Sequence, residues 1–158
     1  MAVGDLNNDG YPDVLIGVNG GAPLLNYNNA ESKNNWLGLQ LVGTTANPAA
    51  VGATLRWQAG GQVYSLLKNA GGSFMSSHDA RVVLGLGKLD QVDWLEVPWP
   101  APSQRVDRMT TPPINRYLTL VEGKGIVSSE APSAKGSTPR PEFENRMLGT
   151  ETFVAVGR

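Results

Sequence analysis

The chain has 158 residues, a formal net charge of −1 and no cysteine. The near-zero charge argues against a sequence-independent nucleic-acid binder, and no apolar run of about 18 residues occurs, so no membrane insertion is expected. With His78 as its single histidine the chain cannot build a His-rich zinc site, and the lack of cysteine excludes disulfides and thiol catalysis. The composition therefore favours a protein that is not an enzyme.

Glycine and proline are frequent, with 19 and 11 residues, and only 17% of the chain is charged. Together with short runs of valine, leucine and tryptophan, this composition is typical of β-structure with many turns. No window of about 12 residues has the apolar spacing of a helix. The predicted fold class is all-β, a small antiparallel sandwich or barrel-like domain.

At the N-terminus, residues 1–10 lack the basic and apolar segments of a signal peptide, so none is expected in this chain. Residues 5–13 form an acidic loop ahead of an apolar run at 14–18. Oxygen donors recur along this loop: the side chains of Asp5, Asn7, Asp9 and Asp13 and the carbonyl of Tyr11. Ca²⁺ takes six to eight hard oxygen ligands, and Gly10 permits the sharp turn that such a loop needs.

The spacing of these oxygens predicts a structural calcium site, and an ion-free turn rich in Asn, Asp and Gly is the alternative. The loop is not an EF-hand, because Ile16 stands where that motif needs a bidentate glutamate. It resembles instead the calcium loop of FG-GAP (VCBS-type) repeats, which form the blades of integrin-α-like β-propellers. The resemblance implies Asp5, Asn7, Asp9, Tyr11 and Asp13 as ligands and a partial propeller-blade hairpin over residues 1–33.

The middle of the chain holds most of the strand candidates. Apolar alternation and turn signals predict strands at 36–42, 53–58, 62–67, 81–86, 91–97, 103–107 and 117–121. The glycines at 60 and 61 predict a hairpin between the second and third of these, and the strand at 103–107 is expected at a sheet edge. Strands spaced this closely exclude a parallel α/β sheet, whose crossover connections need helices.

Residues 34–122 resemble the ASPIC/UnbV domain, which commonly follows FG-GAP repeats. The matching segments occur in the family's order, at 35–43, 47, 51–55, 70–74, 84–87, 92–100 and 115–120. The family is found in exported bacterial multidomain proteins and in the cartilage acidic protein of animals, and it has no established reaction. The resemblance implies the C-terminal end of a larger exported protein, with an extracellular or periplasmic location.

Residues 123–158 are expected to form a largely flexible tail, because the Ser- and Pro-rich stretch at 128–141 is too polar to pack. Within this tail, the apolar run at 152–156 fits either a docked strand or a disordered segment.

Two further groups suggest a function. The four tryptophans are expected in the core, with Trp99, between two prolines, as the best candidate for an exposed sugar-stacking platform. The neighbouring Ser76, His78 and Asp79 contain the residue types of a catalytic triad, but adjacent side chains point apart and cannot form the relay.

The predicted function is a non-catalytic, calcium-stabilised binding or adhesion module for a protein or glycan ligand. Two alternatives remain: a carbohydrate-binding accessory module of a secreted enzyme, and a truncated gene product without independent function. The apolar N-terminal strands further predict a homodimer formed by edge pairing.

Overall fold

The computed structural model describes residues 1–29 and 33–132, and the part of the chain so described contains thirteen strands and no helix. In chain order the strands are β1 (Ala2–Gly4), β2 (Asp13–Ile16), β3 (Leu24–Asn26), β4 (Asn35–Val42), β5 (Thr54–Ala59), β6 (Gln62–Leu67), β7 (Gly72–Ser73), β8 (Ser76–Ser77), β9 (Val82–Gly87), β10 (Trp94–Pro98), β11 (Val106–Thr110), β12 (Tyr117–Val121) and β13 (Gly125–Glu130). The all-β prediction is confirmed.

Two four-stranded sheets form the main domain. The first has the strand order β11-β10-β5-β6 and is antiparallel throughout. The second has the order β13-β12-β4-β9. The hydrophobic core draws on both sheets, with Leu55 and Leu95 from the first and Leu37, Leu39 and Leu118 from the second, all 0% exposed. The domain is therefore a β-sandwich, and the residues described form no closed barrel.

The second sheet departs from the expected antiparallel pattern. Strands β4 and β12 are parallel, with Gly38 opposite Tyr117 and Val42 opposite Val121. This pairing needs no crossover helix, because the chain between the two strands builds all four strands of the other sheet before it returns. A parallel pair needs a long connection, and the whole chain between β4 and β12 provides it. The short loops between successive strands, on which the prediction rested, do not reveal this.

The N-terminal residues form a small sheet of their own, in the order β1-β2-β3 and antiparallel. It contains one strand more than the predicted hairpin, because the chain after the turn at Gly20 pairs again as Leu24–Asn26. The predicted strand at 14–18 is shorter, and Asp13 is its first residue.

At the other end of the domain, the sheet extends beyond the predicted boundary at residue 122. Strand β13, Gly125–Glu130, pairs with β12 and forms an edge of the second sheet. Gly123 in the tight turn and Gly125 at the start of β13 both have positive φ, which lets the chain reverse here, so this part of the predicted tail is a hairpin. The remainder of the predicted tail, with its apolar run at 152–156, lies outside the described residues.

Glu122 ties three loops together at the end of β12. Its Oε2 accepts hydrogen bonds from the backbone N–H groups of Thr44 (2.7 Å), Thr45 (2.7 Å) and Ala46 (2.9 Å), and its Oε1 accepts one from Ser103. Burial alone would raise the pKa of Glu122. The bond from Ser103 and the three backbone bonds outweigh this effect and lower the pKa to about 2. The carboxylate is therefore charged at neutral pH.

Candidate metal-binding loop and its contacts

The acidic loop folds around two buried carboxylates at its ends. Asp5 is 2% exposed and Asp13 is 1% exposed. The Oδ1 of Asp5 accepts a hydrogen bond from the Asp9 N–H (3.1 Å), and its Oδ2 accepts one from the Gly10 N–H (2.7 Å). Asp5 thus organises the turn, in the manner in which aspartate side chains commonly stabilise local backbone reversals.

Asp13 closes the loop from the other side. Its Oδ2 accepts a hydrogen bond from the Leu6 N–H (2.9 Å), and its Oδ1 accepts one from the Asn28 N–H (2.8 Å). Burial is the largest cause of the raised pKa of Asp13, and the two backbone bonds oppose it. The negative charges of Asp9 and Asp5 raise this pKa further, so the loop concentrates negative charge in a poorly solvated place.

The middle of the loop is held by Asn7 and Asp9. The Nδ2 of Asn7 donates to Oδ2 of Asp9 (3.0 Å), while Oδ1 of Asp9 accepts from the Tyr11 N–H (2.9 Å). Two left-handed residues, Asn8 (φ 56°) and Gly10 (φ 87°), allow the chain to turn between these donors. All five predicted ligand residues therefore lie on one compact loop.

The donor chemistry of this loop fits a hard divalent cation. Its predicted ligands are oxygens only, and among residues 1–29 and 33–132 no salt bridge engages Asp5, Asp9 or Asp13. The described residues contain no preformed group of three acidic or histidine side chains at metal-binding separations. The loop carboxylates instead accept hydrogen bonds from backbone and amide N–H groups.

The loop rests on the outer face of the second sheet. The Tyr117 hydroxyl on β12 donates to Oδ2 of Asp5 at 2.6 Å. The Arg81 guanidinium donates to the backbone carbonyl of Asp5 at 2.5 Å and to Oδ1 of Asn8. Burial, the hydrogen bond to Asp5 and the charge of Asp5 all raise the pKa of Tyr117, so its hydroxyl keeps its proton and remains a donor.

Aromatic packing completes this contact. A Cβ at Gly10 would lie 2.1 Å from the Trp36 ring, and one at Gly38 would lie 2.3 Å from the Tyr117 ring. The two rings themselves pack at a centroid distance of 5.2 Å. Both glycines are thus required for close approach, Gly10 to bring the loop onto the indole and Gly38 to let the tyrosine ring lie against β4.

Arg81 is oriented by its neighbour Asp79. Two guanidinium nitrogens of Arg81 donate to Oδ2 of Asp79, at 2.9 and 2.7 Å. The guanidinium also lies over the Tyr117 ring, 4.4 Å from its centroid. The backbone N–H of Asp79 in turn donates to the Val3 carbonyl at 2.8 Å, which adds a contact with β1.

Sequence reasoning did not single out Tyr117, Arg81 or Gly38 as partners of the loop. One signal was present, since an isolated glycine inside the long strand 36–42 indicates close approach of another group. Nothing in the sequence identifies that group as the ring of Tyr117.

Trp99, the candidate for an exposed sugar-stacking platform, instead lies in the core, where the tryptophans as a group were expected. Trp99 is 4% exposed, and its indole N–H donates to Oδ2 of Asp107 at 2.9 Å. The chain beyond Pro100 returns as β11 and places Asp107 beside the indole, so the flanking prolines do not expose the ring. Of the other tryptophans, Trp36 and Trp57 are at most 8% exposed, and Arg108 lies over the half-buried Trp94.

The structure does not assemble Ser76, His78 and Asp79 into a relay. The Ser76 hydroxyl donates to the Met1 carbonyl, the Nδ1 of His78 accepts from the Val3 N–H (3.2 Å), and Asp79 binds Arg81. All three side chains therefore serve contacts with neighbouring segments and not with each other.

Comparison with protein families gives two matches along the chain. The sequence model of the ASPIC and UnbV family matches residues 43–127, which is more than half of the chain. That of the FG-GAP repeat matches residues 1–32, the segment that carries the acidic loop. A search of curated proteins gives no significant match. No helix long and apolar enough to cross a membrane occurs among the described residues.

Proposed function

The chain belongs to the ASPIC and UnbV family, and we propose that it is a calcium-stabilised, non-catalytic binding and adhesion module. FG-GAP and ASPIC/UnbV domains are extracellular-type β domains, and FG-GAP domains are typically extracellular or periplasmic. We therefore place its action outside the cytoplasm, where millimolar Ca²⁺ suits a site of extracellular affinity.

The observation that carries the calcium proposal is the burial of Asp5 and Asp13 in one loop with no cationic side chain bound to either carboxylate among the described residues. Buried carboxylates need a compensating charge, and backbone N–H groups supply only part of it. A divalent cation in the loop supplies the rest.

Asp5, Asn7, Asp9, Asp13 and the Tyr11 carbonyl would hold the ion. Bound Ca²⁺ would neutralise the carboxylates and cross-link the two ends of the loop. To bind the ion, the Asn7 and Asp9 side chains would give up the hydrogen bond between them and turn their oxygens towards the cation.

Calorimetric titration and thermal unfolding with and without Ca²⁺ test this site. We expect Ca²⁺ to raise the melting temperature, because it binds the folded loop and not the unfolded chain, and Asp9→Ala to abolish the increase. Asp90→Ala, which removes an exposed carboxylate on another loop, is the matched control and should keep it. Absence of Ca²⁺ binding to the unaltered chain at millimolar concentration would refute the site.

The ligand that we propose is a protein or a glycan. The tip of the β7–β8 hairpin supports a binding role, because Phe74 is 88% exposed and Met75 90% exposed. Glycan and protein arrays probed in Ca²⁺ and in chelator should reveal a Ca²⁺-dependent binder whose signal falls in a Phe74→Ser, Met75→Ser variant. Arrays without any binder would contradict the adhesion role.

We further propose a homodimer through the N-terminal strands. Strand β3 is an edge of its sheet, and Leu24 on it is 46% exposed. Edge pairing between two copies would extend this sheet across the two chains and cover apolar surface. Light scattering should show a concentration-dependent dimer that Leu24→Lys weakens, and a monomer at every concentration would refute the interface.

A further inference from the structure

The acidic loop does not support itself. Its carboxylate ligand Asp5, its backbone at Asp5 and its turn at Gly10 each contact the outer face of the sandwich. Two side chains of the sandwich supply the polar contacts, Tyr117 from β12 and Arg81 from the segment before β9.

Tyr117 fixes the orientation of the Asp5 carboxylate. Oδ2 of Asp5 accepts from both the Tyr117 hydroxyl (2.6 Å) and the Gly10 N–H (2.7 Å), while Oδ1 accepts from the Asp9 N–H (3.1 Å). Tyr117 is 5% exposed and packs against Trp36, so its own position is fixed. Without the hydroxyl, the carboxylate would be held by the loop alone.

Arg81 fixes the backbone of the same turn. Its guanidinium donates to the Asp5 carbonyl and to the side chain of Asn8, a residue in the left-handed conformation. Asp79 orients the guanidinium from behind through two hydrogen bonds. Asp79 thus holds Arg81, and Arg81 in turn holds the loop. Residues that surround metal sites orient the metal ligands through chains of hydrogen bonds of this kind.

We infer that Tyr117 and Arg81 are positioning residues for the cation loop, so that the ASPIC/UnbV sandwich sets the Ca²⁺ affinity of the FG-GAP segment. This inference rests on the proposed calcium site. Because coupling between binding events is reciprocal, Ca²⁺ that binds the loop also strengthens the attachment of the loop to the sandwich.

The size of the effect follows from the role. Loss of an outer-shell partner typically lowers metal affinity about 10–100-fold. We expect Tyr117→Phe, which deletes one hydroxyl, and Arg81→Gln, which deletes two donors to the loop, each to lower the Ca²⁺ affinity of the full chain by about tenfold or more.

Calorimetric Ca²⁺ titration of the full chain tests this, with two controls that make the same changes elsewhere. Tyr64→Phe removes a hydroxyl that bonds Gln62 on β6, and Arg108→Gln removes a guanidinium that bonds Glu96 on β10. Both lie on the first sheet, and neither contacts the acidic loop, so Ca²⁺ affinity should remain that of the unaltered chain.

Melting temperature in chelator and near-ultraviolet circular dichroism establish that each variant is folded. Tryptophan fluorescence, measured against a Trp36→Phe variant to isolate the Trp36 contribution, gives a second readout, because this indole contacts Gly10. Its emission should respond to Ca²⁺ in the unaltered chain and shift to higher Ca²⁺ concentration in Tyr117→Phe. A purely structural role would lower the melting temperature in chelator and leave the Ca²⁺ affinity of the folded variant unchanged.

The outcomes separate the two proposals. If the unaltered chain binds Ca²⁺ and folded Tyr117→Phe and Arg81→Gln bind it equally well, the coupling is overturned while the site stands. If the unaltered chain binds no Ca²⁺, the site and the coupling fail together. A selective loss of affinity in these two variants, with Tyr64→Phe and Arg108→Gln unaffected, supports the inference.

Discussion

Replacement of Gly10 by alanine tests how tightly the acidic loop is seated on the sandwich. Gly10 has φ +87°, and an added Cβ would lie 2.1 Å from one carbon of the Trp36 ring. Real Cβ atoms essentially never approach a neighbour this closely, and Trp36 is 6% exposed and packed against Tyr117, so the ring has little room to move.

Gly20→Ala is the matched variant, because Gly20 also has a positive φ (+73°) but nothing lies within 4 Å of its added Cβ. Left-handed strain costs each variant about 1–2 kcal/mol. Only Gly10→Ala also suffers the clash with Trp36, and overpacking of this kind destabilises a protein by about 1–3 kcal/mol. The difference between the two variants is therefore the cost of the clash.

Thermal unfolding in chelator measures that difference. For a chain of this size, 1 kcal/mol corresponds to about 3 °C in melting temperature, so Gly10→Ala should melt about 3–9 °C below Gly20→Ala. Equal melting temperatures would refute the reasoning, since they would mean that the loop leaves the indole at no cost.

Three further predictions concern the sandwich. The lowered pKa of Glu122 means that it stabilises the fold above the ordinary carboxyl pKa of 4.5 and loses this contribution as the pH falls towards about 2; Glu122→Gln should remove that acid sensitivity from urea unfolding curves, and an unchanged pH profile would contradict it. Leu118→Ala, at a position 0% exposed, should lower the free energy of unfolding by about 2–5 kcal/mol, whereas Leu67→Ala, at a position 55% exposed, should change it by less than about 1 kcal/mol. Trp99→Phe should lower it by at least about 1 kcal/mol through loss of the hydrogen bond to Asp107, and a neutral result in denaturant titration would refute the structural role of that indole.

Two strands of the sandwich could be predicted at their observed bounds from local signals, a glycine turn just before residue 62 and an apolar alternation over 117–121. The predicted strands 62–67 and 117–121 coincide with β6 and β12. The strand predicted at 103–107 does lie at a sheet edge, but it is displaced to Val106–Thr110 and shares only residues 106 and 107 with the prediction. Strand order was not predictable, because alternation reports which face of a strand is buried and not which strand lies beside it.

The acidic loop could be predicted for a similar reason, since its donors lie within nine consecutive residues and depend on local geometry. Its support could not, because the hydrogen bond from Tyr117 to Asp5 joins residues 112 apart in sequence. The partner of the Trp99 indole could not be predicted for the same reason, because Asp107 lies on β11, which the return of the chain brings beside the ring.

The parallel pairing of β4 with β12 has a consequence for biosynthesis. Gly38 and Tyr117 are about 80 residues apart, so at roughly 5–20 residues per second the ribosome needs on the order of 4–16 s to supply the parallel neighbour of β4. During that interval β9 and all four strands of the first sheet emerge, but the second sheet still lacks β12 and β13. Non-local pairings of this kind slow folding, so we expect the second sheet to close only after nearly all of the sandwich has been synthesised.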